Sequence, residues 1–123
     1  MAEIHEFESP RNLYEKLVRD SQRLEKEVNG DNFFTFVSTA VVLQPWIKNS
    51  PLSSAETMNR IMRKIVHDSN YKLCKDIAEA KSLFKLEVSD DNKATIHVGK
   101  DKIDVFEFHS HIMNLFDNFF KQK

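Results

Sequence analysis

NFFTFVSTAVVLQPWIK, residues 32–48, is the stretch on which the fold class turns. Its β-branched and aromatic residues would suit a strand. Its length would not, because strands seldom run beyond about ten residues, whereas a run of this reach is an ordinary helix. Read as a helix, it is apolar on nearly every side, which predicts the central, most buried element of the fold. Asp31 is placed to cap its start, Pro45 to bend or end it, and Trp46 to settle near its exit.

Upstream, Ser9-Pro10 reads as a helix start: a serine N-cap, then a proline whose missing N–H costs nothing there. Leu13, Tyr14, Leu17, Val18, Leu24 and Val28 follow at helical spacing, and Asn29-Gly30 supplies a stop. Arg11, Glu15, Arg19, Arg23 and Lys26 lie off that stripe and read as its solvated side. Residues 1–8 read as a flexible tail. Downstream, NSPLSS is a loop, and Ser53 with Glu56 forms a capping-box pattern before Met58, Ile61, Met62, Ile65 and Val66. Asp68-Ser69-Asn70 breaks the chain. A fourth helix starts near Tyr71 and carries Leu73, Ile77, Ala80 and Phe84 on one side.

Near Lys85 the period falls from 3.6 to 2. Leu86 and Val88 alternate with polar residues, SDDNK turns, and Ala94, Ile96 and Val98 alternate again, so a β-hairpin spans about residues 85–99. It must lie against the helices, since two strands alone are marginal. Gly99-Lys100-Asp101 turns the chain once more, with a short extension at Ile103, and Asp104 with Glu107 starts the last helix. That helix gathers Val105, Phe108, His109, Ile112, Phe116, Phe119 and Phe120 on one half. The expected fold is therefore mainly α: a compact four- to five-helix bundle, one domain over residues 1–123, with the hairpin before the C-terminal helix.

Bulk composition narrows the function. Two glycines and three prolines suit helices and make a phosphate-cradling glycine loop a poor fit. Eighteen basic against nineteen acidic residues remove the overall attraction of a typical nucleic-acid binder. One cysteine, Cys74, cannot form an intramolecular disulfide, and the acidic start MAEIHEFESP is not a secretory signal, so the expected location is the cytoplasm. No apolar run is long enough to span a bilayer.

Two patterns carry chemistry. In RIMRKIVHD, residues 60–68, Arg60 and His67 lie seven apart and share a helix side, with Arg63 between them. An arginine can stabilise a phosphorane-like transition state while a histidine moves the proton, so the pair suits metal-independent RNA cleavage, with Arg63 or Lys64 holding phosphate. The other reading is a basic, solvated side opposite Met58, Ile61, Met62 and Ile65. A third use is single-stranded nucleic-acid binding through Arg60, Arg63, Lys64, Lys72 and Lys75. His109 and His111 lie two apart, so they point to opposite sides of a helix and cannot share a metal. His97 points away from the apolar side of its strand. No metal and no cofactor is expected. The wide C-terminal stripe exceeds what one side of a small core needs, and its excess, Phe116, Phe119 and Phe120, reads as a partner or self-association surface.

FVSTAVVLQPWI and KLCKDIAEAKSLFKL add a resemblance. They are similar to the FFVTAxHLxDWV and CxDIANxxKHxxL signatures of small helical proteins of bacteria and phages. The shared positions are Phe36, Thr39, Ala40, Leu43, Trp46 and Ile47, then Cys74, Asp76, Ile77, Ala78, Lys81 and Leu86. The likeness covers most of residues 12–120 and implies a helical layout like that of HEPN domains, whose ribonucleases carry R-x4–6-H with a polar residue after the arginine. Here that neighbour is Ile61. The family's polar positions are Val42, Pro45, Glu79 and Ser82 in this chain, so the resemblance implies a kept scaffold without a kept site. The expectation is a non-enzymatic protein-interaction module, a homodimer through the last helix, placed by resemblance in prokaryotic or phage conflict systems; the alternative is a ribonuclease using Arg60 and His67.

Overall fold

A computed structural model describes residues 2–4, 6–91 and 93–121. Five α-helices form a bundle, with a small antiparallel sheet packed against its last helix: α1 (Pro10–Lys26), α2 (Gly30–Lys48), α3 (Glu56–Val66), α4 (Ser69–Ala78), β1 (Lys85–Val88), β2 (Ala94–Val98), β3 (Asp101–Asp104) and α5 (Val105–Phe120). The mainly helical bundle with strands before the last helix is the fold the periodicities predict. Met1 and His5 of the expected tail, and Asn92 of the SDDNK turn, lie outside the described residues.

Helix α1 opens as expected. Ser9 Oγ accepts the Asn12 N–H at 3.3 Å, and Pro10 fills the first turn. Leu13, Leu17 and Leu24 are buried, while the five charged residues off the stripe are exposed. Asn29, not Asp31, caps α2, accepting the Asn32 N–H at 2.7 Å; Asp31 sits exposed in the first turn, where its charge favours the helix dipole. Pro45 does not end α2, which runs on to Lys48. A mid-helix proline leaves the carbonyl four residues earlier without its N–H partner. That carbonyl, Val41, instead accepts a long hydrogen bond from the Tyr71 hydroxyl of α4 at 3.4 Å.

The expected box at Ser53 and Glu56 does not form. Ser50 caps a short 3-10 helix, Pro51–Ser54, and the Ser53 hydroxyl donates backward to the Ser50 carbonyl at 2.9 Å. Helix α3 starts after Ala55 with no side-chain cap. Asp68 both breaks the chain and caps α4, accepting the Asn70 and Tyr71 N–H groups at 2.9 and 3.1 Å. Helix α4 stops at Ala78, well short of Phe84. Its end is a Schellman motif in which Lys81 N–H reaches the Asp76 carbonyl at 2.7 Å and Ala80 N–H reaches Ile77 at 3.2 Å. Ala80 takes the left-handed conformation, φ 61°, that glycine usually fills. Phe84 thus reaches the core from a loop, its ring 5.2 Å from that of Phe33.

The expected hairpin is two-thirds of a three-stranded sheet, ordered β1-β2-β3 and antiparallel throughout. Gly99, φ 58°, is the first residue of a two-residue turn between β2 and β3, the position that a type II′ turn gives to glycine. Leu86, Ile96 and Ile103 line up across the strands on the side facing the helices, and Glu87, Thr95 and Asp104 on the other.

The centre of the bundle is shared by two helices: α2, packed against α1 and α4, and α5. Helix α5 contacts α1, α3, α4, β2 and β3, and its Phe108 and His109 rings meet Phe33 and Phe36 of α2 at 6.0 and 5.2 Å. Phe116 and Phe119 are fully buried and Phe120 is 3% exposed. These three, the part of the stripe expected to meet a partner, lie in the core with the rest of it, because elements on several sides cover them. Phe120 stacks on Tyr14 at 4.3 Å, with Arg11 over both rings, closing the end of α5 onto the start of α1. Helix α2, expected to be buried all round, keeps one side open: Phe34 and Val42 are 43% and 44% exposed.

Candidate functional site

The expected catalytic pair meets solvent. On α3, Arg60, Arg63 and Lys64 are all exposed, and His67 is the exposed C-cap residue. Arg60 reaches Glu56, one turn back, at 4.0 Å, and both side chains stand in water, so the ion pair holds it only weakly. Arg63 borders a groove of about 190 Å³ shared with Gln44, Ile47 and Met62. Lys72 and Lys75 on α4 are exposed as well. Cys74 is fully buried, and burial pushes its thiol well above the usual range, so it behaves as a small apolar side chain. No group of three or more histidine, cysteine, aspartate or glutamate side chains among the described residues could hold a metal.

Two buried polar clusters were not foreseen. Between α1 and α2, the buried Asp20 accepts from Lys16 Nζ at 2.7 Å and from the Thr39 hydroxyl at 2.6 Å, with Arg23 at 3.5 Å. Between α1 and α5, His109 Nε2 lies 2.5 Å from Ser21 Oγ and 3.3 Å from Glu25 Oε1. Serine, histidine and glutamate together suggest a nucleophile with its base, but the geometry does not support one. Both partners share a single ring nitrogen, whereas a catalytic triad needs the acid on the other. Nδ1 is buried without a well-aligned partner among the described residues. Ser21 also sits mid-helix, where backbone N–H groups are spent on the helix and none is left to hold an oxyanion. Burial lowers the proton affinity of His109, Glu25 and the Phe106 carbonyl raise it in part, and the net pKa is below the ordinary value. His111, expected to face water, is half exposed but bonds Asp68 Oδ2 at 2.6 Å, tying α5 to the start of α4. Both polar clusters lock helices together.

What remains accessible and organised is the open side of α2. At about 100° per residue, Asp31, Phe34, Ser38, Val42, Pro45 and Lys48 fall within roughly one third of its circumference. All are exposed except Ser38, which is half-buried. Between Asp31 and Lys48 there is no charged residue. At the C-terminal end this side runs into a groove of about 530 Å³ whose walls are Pro10, Val42, Pro45, Trp46 and Pro51, with Glu8, Ser9, Asn49 and Ser50 supplying the polar part. The opposite side of the same helix, Phe33, Phe36, Val37, Ala40, Leu43 and Ile47, is core. Sequence periodicity could not separate the two sides, because both are apolar; the one usable signal was that charge appears only at the two ends.

The fold and this surface define a small helical bundle with an inserted three-stranded sheet and one uncovered helix side. No family model matches the chain, and neither a curated protein nor a solved structure does. No helix among the described residues is long and apolar enough to cross a membrane.

Proposed function

We propose that this chain is a non-enzymatic protein-interaction module and that its contact surface is the open side of α2. The observation that carries this reading is a helix side with no charge between Asp31 and Lys48 that leaves Phe34 and Val42 in water beside a groove, while the apolar stripe of α5 is covered. Leaving aromatic and β-branched side chains exposed in a row is unfavourable by about 25 cal/mol per Å² unless something covers them. The resemblance to small bacterial and phage proteins makes conflict systems the setting we propose for it.

The ribonuclease alternative needs two copies to bring Arg60 and His67 together in an open cleft. Side chains in open solvent, with Arg60 drawn toward Glu56, speak for the interaction reading instead. The deciding assay incubates the protein with single-stranded RNA beside its His67→Ala variant. No cleavage above buffer in either is expected; cleavage lost in His67→Ala, with folding intact, would overturn the proposal.

A further inference from the structure

We infer that the occupant of the open α2 side is the α2 helix of a second copy of this chain, packed antiparallel about a two-fold axis. The inference rests on the interaction-module reading and narrows it to one partner. Its argument is charge placement. The exposed arc of α2 begins at Asp31 and ends at Lys48, and nothing between them is charged. Those two residues are about 26 Å apart along the helix, too far to pair within one chain. In an antiparallel pair, Asp31 of each copy meets the partner's Lys48, so both ends gain an ion pair. A parallel pair would place Asp31 against the partner's Asp31 and Lys48 against the partner's Lys48, which repels at both ends.

The apolar positions obey the same symmetry. A two-fold axis that brings Asp31 opposite the partner's Lys48 brings Phe34 opposite the partner's Pro45. It also puts Ser38 opposite the partner's Val41, close to the axis, where a small residue lets two helices approach closely. Phe34, the largest exposed side chain on the arc, then lies beside the partner's groove between Val42 and Trp46. Isologous contact of this kind closes on itself and does not propagate into fibres. Burial of the apolar arc supplies the affinity, and the end charges set the direction.

The test is mass against concentration, by sedimentation or light scattering at low salt, on the full chain. The unaltered protein should reach twice its 14.4 kDa mass. Phe34→Glu should stay monomeric and keep the helical circular-dichroism spectrum of the unaltered protein, because Phe34 lies outside the core; its melting temperature should fall only by the share the dimer supplies and should no longer depend on concentration. Asp31→Lys and Lys48→Asp, each alone, should weaken the dimer roughly three- to tenfold, since each turns two attractions into repulsions. The double variant D31K/K48D should restore it. A protein that stays monomeric at the highest soluble concentration overturns the inference while leaving the interaction module intact with another partner. A dimer indifferent to the single reversals, or one that the double variant fails to rescue, overturns the antiparallel pairing.

Discussion

His109 shows how far a single residue escapes sequence reasoning. Its place in the apolar stripe predicts a core or interface histidine, and it lies in the core, 3% exposed. Its partners, Ser21 and Glu25, lie 88 positions away for the serine, on another helix, and no local pattern announces them. The consequence is a pH dependence with a definite sign. Burial holds the folded-state pKa below the ordinary 6.5, so between those values the unfolded chain binds more protons than the folded one. Stability from this residue is complete above about pH 6.5 and declines as pH falls through the folded value. The denaturant midpoint should therefore drop between pH 7.5 and 5.5, and His109→Gln, which does not titrate, should flatten that drop. An equal drop in the variant would assign the effect to other groups.

At the scale of elements, helix starts were legible wherever a capping side chain is one of a few short polar types next to an apolar run. Ser9 and Asp104 each accept the N–H they are spaced to accept, while Asp68, read only as a break, proves to cap α4. Competition between neighbours was not legible. Asn29 took the α2 cap ahead of Asp31, and Ser50 drew Ser53 into a 3-10 turn. The end of α4 had no signal, because Ala80 occupies a position where glycine is the usual mark. An alanine at φ 61° bears the Cβ clash that glycine lacks. Ala80→Gly should stabilise the protein by about 0.5–1 kcal/mol, the strain relieved less the added unfolded-state entropy. Chemical denaturation reads this directly, and a destabilised variant would count against the Schellman end.

For the whole molecule, the end of α5 expected at a partner surface is core, and α2, central as expected through its packing on α1 and α4, keeps one side open. Phe119 decides between the arrangements. As part of a partner surface, its truncation would alter association and spare the fold. In the core, with no exposure, Phe119→Ala should cost about 3–5 kcal/mol of unfolding free energy. A stability loss under about 1 kcal/mol would show that α5 is not central. The amino-acid sequence by itself determined the class of fold, a bundle of four to five helices, the position of the sheet and the caps at Ser9 and Asp104, because periodicity and capping depend on neighbours a few residues apart. Only the tertiary structure decided that α5 is wrapped and α2 is left open. Helix order and apolar content are local properties, whereas burial depends on how many other elements reach a given side, and that is set by contacts between residues far apart in the chain.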